Sequence, residues 1–267
     1  MFGKLCKLEL RYMMRNFLPL WGIVLVLAAL NGVAISMDLD SNVTFGLLLM
    51  ALVGVLIAMV VLCLVLVVQR FYNGLLKDEG YLMFTLPVKT GALILSKGLA
   101  ALVVMVVSGV VGVLAFVLVV GRELAWSDLA EAVVYLFQES GATAGNLAII
   151  TIVTLLLMLA AVAFNIQMIY LAQAIGHMAS NHRVGMSALA YLAIAMLLST
   201  LGDLVSNLLG LMNEDYLLNV LLEYDTLAEA VPTIAGAELV SAALYLAGTV
   251  IFFLITRYIL DTRLNLD

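Results

Sequence analysis

The sequence predicts an all-α, polytopic membrane protein: six transmembrane helices, preceded by an N-terminal amphipathic helix. Three observations predict it. The chain of 267 residues is 65% hydrophobic, only 11% charged, and has a mean hydropathy of +1.19, more apolar surface than a soluble domain of this size can hide. The apolar residues fall into six continuous runs, each near the ~20 residues that cross a ~30 Å hydrocarbon core. Lysine and arginine collect on one side of those runs. Continuous runs also argue against a transmembrane β-barrel, whose strands alternate over about ten residues.

The runs are 18–37, 45–68, 98–120, 147–171, 186–209 and 237–260. Orientation follows the basic residues rather than net charge. With the N-terminus inside, Lys4, Lys7, Arg11, Arg15, Arg70, Lys77, Lys89, Lys97, Arg183, Arg257 and Arg263 are all internal, and only Arg122 is external. Most acids then fall outside, Asp38, Asp40, Glu123, Asp128, Glu131, Glu139, Glu214, Asp215, Glu223, Asp225 and Glu229 among them. Both termini are therefore expected in the cytoplasm. The three prolines, Pro19, Pro87 and Pro232, are expected near helix ends or in loops, where proline costs little. Cys6 and Cys63 read as free thiols. The first run is long enough to span and lacks a small-residue cleavage site, so no cleavable signal peptide is expected. No dense basic patch with interleaved aromatics supports nucleic-acid binding.

Residues 1–17 form the amphipathic helix. Lys4, Lys7, Arg11 and Arg15 recur at spacings of three and four and make one stripe, with Phe2, Leu5, Tyr12 and Met13 nearby. Such a helix lies on the inner membrane surface, where each base beside anionic lipid is worth about 1 kcal/mol. Simple anchoring and docking of a partner are both open. Two outer segments, 121–146 and 210–236, are long enough for structure. Within the first, 127–137 reads as a short interfacial helix with Ser127 as N-cap and Trp126 at headgroup level. The second alternates acids with Tyr216, Leu217, Leu218, Val220, Leu221 and Leu222, and reads as a helix that dips into the membrane or packs on the outer ends of the spans.

The most informative stretch is 69–97, QRFYNGLLKDEGYLMFTLPVKTGALILSK, between spans two and three. It is too polar to span and too apolar for a free linker. Residues 69–76 continue span two. Lys77-Asp78-Glu79-Gly80 is a charged turn, and Tyr81 to Phe84 an apolar patch. Pro87 disfavours helix in the residue before it, and Thr90 caps a helix from Gly91 into span three. The whole reads as a compact helix–turn–helix knob on the cytoplasmic side.

On these residues the chain resembles the permease subunits of ABC-2 type ABC transporters. The matching elements are the Asp78-Glu79-Gly80 turn, Thr85-Leu86-Pro87-Val88, and the Leu95-Ser96-Lys97 step into span three. The chain has Lys77-Asp78-Glu79 where the commonest family version carries an Arg-Glu pair. The resemblance implies that 69–97 is a cytoplasmic coupling segment, with Lys77, Asp78, Glu79, Gly80, Tyr81, Phe84 and Pro87 at the ATPase contact. It implies two permease subunits, the same or different, around a translocation pathway, in a bacterial plasma membrane. It also implies separate cytoplasmic ABC ATPase subunits. This chain has no Walker A motif, so ATP and Mg²⁺ are expected on those partners and no cofactor or metal on this chain.

Polar residues within the runs are the candidates for pathway lining: Asn165 and Gln167 in span four, and Ser199, Asp203 and Asn207 in span five beside Thr200 and Ser206. Such residues face a protein interior or a wet cavity rather than lipid, and helix packing also explains them. Asp203 reads as the one carboxylate inside an apolar run, near the outer end of span five. It faces the pathway or pairs with a neighbouring helix. His177 and His182 fall in the loop between spans four and five and read as surface residues. Ser108-x-x-x-Gly112 and Gly141-x-x-x-Gly145 allow close helix approach. Two rival classes remain. A secondary transporter keeps a broken helix and ionisable groups at the midplane, which the runs do not show. An intramembrane enzyme needs a nucleophile or metal set, and neither HExxH nor Gly-x-Ser-x-Gly occurs.

Overall fold

Among the described residues, six helices, each long and apolar enough to cross a membrane, make the chain a multi-pass α-helical protein. They are α1 (Phe2–Ser36), α2 (Val43–Phe71), α3 (Thr90–Val120), α4 (Ala144–His177), α5 (Arg183–Leu209) and α6 (Leu227–Thr262). A π-helical turn, Tyr72–Leu76, extends α2. The computed structural model describes residues 2–37, 43–76, 88–121, 143–179, 182–209, 224 and 227–262, and no strand occurs among them. Large apolar side chains such as Val43, Met50 and Met196 stand exposed along the helices. Water would not tolerate such a surface, and lipid does.

The helices outlast the apolar runs. α1 has 35 residues, about 52 Å at 1.5 Å per residue, against a ~30 Å core. It runs without interruption through Pro19. The predicted amphipathic helix is thus the first half of one helix, and the expectation that proline marks a helix end fails at Pro19. Pro19 cannot donate to the carbonyl of Arg15, yet proline is tolerated in spans where neighbouring groups re-satisfy the freed carbonyl. Pro232 is likewise inside α6, in its second turn. Residues 227–236, expected in an outer segment, form the start of that helix. The predicted helix at 127–137 and the rest of 210–223 lie outside the described residues.

The chain divides into two compact units, Met1–Phe71 with Ala92–Val133, and Tyr72–Gly91 with Val134–Asp267. In the first, α1 and α3 run parallel. Glu9 meets Lys97, Trp21 meets Ser108, and Gly32 lies against Leu118. α2 runs antiparallel to α1, with Asn31 at Leu48 and Glu9 at Arg70. Midway, the Trp21 indole N–H donates to Ser108 Oγ at 3.0 Å, and Cys63 Sγ lies 3.6 Å from the same oxygen. One hydroxyl therefore joins all three helices through polar contacts that apolar surroundings strengthen. The expected close approach at Gly112 is absent, since a Cβ there would meet open space. It falls on Gly32 instead, where a Cβ would strike the Leu118 carbonyl oxygen.

In the second unit α4 and α6 run parallel. Thr154 pairs with Glu238, Phe164 packs on Gly248, and Leu171 and Ala174 cluster with Ile259. α5 packs against α4. Met178 N and Ala179 N donate to the carbonyls of Ile175 and Gly176. His182 adopts φ 55°, a region histidine enters more readily than most residues. A Cβ on Gly176 would collide with the backbone of Ser187, so glycine sets how closely α4 and α5 approach.

Candidate functional site

Along α1, Glu9, Met13, Phe17, Trp21, Val24 and Ala28 are buried at steps of four and three, which is one helical face. Lys4, Lys7, Arg11 and Arg15 are exposed. The four bases of the predicted stripe are thus exposed, and the buried face carries an acid. Glu9 is 2% exposed and Lys97 1%. Lys97 Nζ donates to Glu9 Oε1 at 2.7 Å. Arg70, 16% exposed, donates from Nε to Oε2 at 2.5 Å and from a terminal nitrogen to Oε1 at 3.1 Å. That fork is the bidentate arrangement in which arginine binds carboxylate most strongly. The Arg70 guanidinium also lies 4.4 Å from the centroid of the Tyr12 ring, within cation–π range. A single carboxylate on α1 thus holds the last turn of α2 and the first turns of α3.

These two bases stand at the two ends of the 69–97 segment. Its ends are firmly seated. Phe71, Leu75, Leu76, Leu93, Ile94 and Ser96 are buried, and burial of one such large side chain is worth about 1.5–3 kcal/mol. Within the second unit, Tyr72 of the π-helical turn meets the His177 ring edge-on at 6.2 Å. Gly91 lies against Phe253 and Arg257 of α6, where a Cβ would come within 3.2 Å of the Phe253 ring. π-Helical turns are rare and recur at functional sites. Lys77, Asp78, Glu79, Gly80, Tyr81, Phe84 and Pro87 lie outside the described residues.

The candidate pathway residues do not share one surface. Asn165 is exposed and donates from Nδ2 to the Ala161 carbonyl at 2.9 Å, whereas Gln167, two residues on, is buried. Ser199 and Thr200 donate back to the carbonyl of Met196 at 3.0 and 3.2 Å. Asp203 is exposed on α5, and no hydrogen bond or ion pair to it occurs among the described residues. The side chain of Asn207 lies outside them.

Two expectations change here. Asp203 is not alone: Glu238 is the twelfth residue of α6, roughly 17 Å along its axis. Thr154 Oγ1 lies 3.0 and 2.9 Å from its two carboxylate oxygens. His177 is not a surface residue. It closes α4 and is buried, because the helix continues two turns past the apolar run and receives Tyr72. Glu9 was missed altogether, although its register with Met13 and Phe17 places an acid on the apolar face. Comparison with protein families, with curated proteins and with solved structures returned no match. The class that stands is a multi-pass α-helical membrane protein with a buried ion cluster joining its first three helices.

Proposed function

We propose that the chain is the membrane-spanning permease subunit of an ATP-driven ABC-2 type exporter. It forms the translocation pathway with a second permease subunit and draws energy from separate cytoplasmic ABC ATPase subunits, which bind ATP and Mg²⁺. The observation that carries the reading is the Glu9 cluster at both ends of the 69–97 segment. A subunit that borrows its energy needs a cytoplasmic projection mounted rigidly enough to transmit a push. A segment whose two ends share one buried carboxylate meets that need. The Lys/Arg asymmetry supports a cytoplasmic position for this segment and both termini. Asp203, exposed on α5, supports a second subunit or a wet pathway on that face, since a carboxylate is costly against lipid.

The test is affinity purification of the chain from its native membrane in a mild detergent, followed by an assay of Mg²⁺-dependent ATP hydrolysis. ATPase activity that co-purifies supports the reading; its absence from an intact, transport-competent preparation refutes it. Glu238 favours a second reading, transport driven by an ion gradient, because that class keeps a carboxylate within a span. In that case Glu238→Gln abolishes gradient-driven transport and no ATPase accompanies the chain.

A further inference from the structure

Lys4, Lys7, Arg11 and Arg15 are exposed on α1, and Leu18, Gly22 and Val26 continue the same line at steps of three, four and four. Leu18 and Val26 are exposed as well, and a Cβ on Gly22 would meet open space. One exposed face of α1 is therefore basic over its first turns and apolar over those that follow. No ion pair or side-chain hydrogen bond to the four bases occurs among the described residues.

Contacts within the first unit set the depth of that line. Glu9 meets Arg70 and Lys97, where the apolar runs of α2 and α3 end. Trp21 meets Ser108, and Gly32 meets Leu118. α1 thus keeps beside α3 from Glu9 to Gly32 and does not turn aside to lie flat on the membrane. Arg11 stands about 3 Å, and Arg15 about 9 Å, from Glu9 toward the midplane. The same steps from Arg70 and Lys97 reach Val68 and Leu99 at the first level, and Leu64 and Val103 at the second. All four of these are exposed apolar side chains. The neighbouring helices therefore present apolar surface at levels where α1 presents a guanidinium.

A cation at that depth is costly unless an anion or water meets it. Helical side chains lean toward the helix N-terminus, so Arg11 and Arg15 reach back toward the headgroups, as long basic side chains do near span ends. Lys4 and Lys7 precede Glu9 and lie on the headgroup side of it. The matching ligand has an anionic end against the bases and an apolar tail along Leu18, Gly22 and Val26. A second copy of this chain does not match. In a two-fold pair about the membrane normal, equal levels meet, so bases would face bases. A zwitterionic lipid brings its own ammonium into the basic field, whereas an anionic phospholipid brings phosphate and tail without one.

We propose that Lys4, Lys7, Arg11 and Arg15, with Leu18, Gly22 and Val26, form a binding site for a single anionic phospholipid held upright along α1. The site stands for an ABC-2 permease and for a gradient-driven carrier alike.

Native mass spectrometry of the detergent-purified full chain tests this, with phosphatidylglycerol and phosphatidylcholine at equal concentrations. The wild type should retain one phosphatidylglycerol in preference to phosphatidylcholine. Arg11→Gln/Arg15→Gln should weaken that binding roughly 30-fold, since each base beside anionic lipid contributes about 1 kcal/mol and about 1.4 kcal/mol is tenfold. Lys89→Gln, which removes an exposed base off the line, should leave it unchanged. Excess inorganic phosphate should not displace the lipid, because it lacks the tail. Equal retention of the two lipids, a preference that survives in Arg11→Gln/Arg15→Gln or is lost as fully in Lys89→Gln, or displacement by phosphate overturns the proposal. So does a dimer of the chain, in place of the bound lipid, that the double variant disperses.

Discussion

Replacing Glu9 by glutamine keeps the size of the side chain and removes its charge. In the wild type the carboxylate accepts from Arg70 at 2.5 and 3.1 Å and from Lys97 at 2.7 Å. Lys97 is 1% exposed and has no route to water without rearrangement. Removing one partner of a buried ion pair typically costs about 3–5 kcal/mol, because the remaining charge stays desolvated. Arg70, at 16% exposure, can relax toward water and keeps its stacking on Tyr12, so the lower half of that range applies. Spread over a chain of this size, a loss of about 3 kcal/mol lowers Tm by roughly 6–12 °C. The control is Arg257–Asp261, a pair at 3.4 Å with both side chains well exposed. Asp261→Asn should change stability by about 0.5 kcal/mol or less. Glu9→Gln/Lys97→Met should recover part of the loss, since it removes the stranded charge along with the acid. Melting of the detergent-purified protein, followed by size-exclusion of the heated sample, measures all three. A Glu9→Gln melt indistinguishable from that of Asp261→Asn would mean that the cluster does not hold α1, α2 and α3 together.

Three further outcomes follow from the same structure. Gly32→Ala puts a methyl into the Leu118 carbonyl and should cost about 1–3 kcal/mol, while Gly112→Ala, in open space, should leave the melt unchanged. In a background without Cys6 and Cys63, single cysteines at Asp128 and Tyr216 should react with an impermeant thiol reagent on intact cells, and cysteines at Glu79 and Asn181 should not; labelling at Glu79 reverses the topology. Asp203→Asn should alter transport with little change in Tm, because Asp203 is exposed and no partner for it occurs among the described residues; a lowered Tm with normal transport would make it a packing residue.

The spans were legible because a bilayer demands about 20 apolar residues in a row, and each apolar run is matched by a helix. Their ends were not. α6 starts at Leu227, ten residues before its run, and α4 continues to His177, six beyond its own. Hydropathy marks where lipid is met, whereas a helix persists wherever its backbone bonds are satisfied. Pro19 misled for a related reason, since its cost is judged from helices in water. Glu238 stood in plain view inside the run 237–260, but the partners of Glu9 and Glu238 were hidden because they lie far away in sequence, at Arg70, Lys97 and Thr154, with separations of 61, 88 and 84 residues. An acid among bases at the start of a chain reads as part of a solvated stripe. Only its four-residue step to Met13 and Phe17 signals the buried face. Gln167 was singled out on α4, but His177 lay past the end of its run and read as loop.

Coupling is tested most directly by Phe84→Asp, a charge placed in the apolar patch of the 69–97 segment. If that patch docks in a partner ATPase, burying an unpaired carboxylate there costs several kcal/mol, while the six spans are untouched and the chain inserts normally. The predicted result is a correctly inserted protein that loses both the co-purifying ATPase, or its stimulation by substrate, and transport. Wild-type levels of ATPase binding and transport in Phe84→Asp would contradict the assignment of this segment as the coupling element, and with it the ABC-2 reading of the chain.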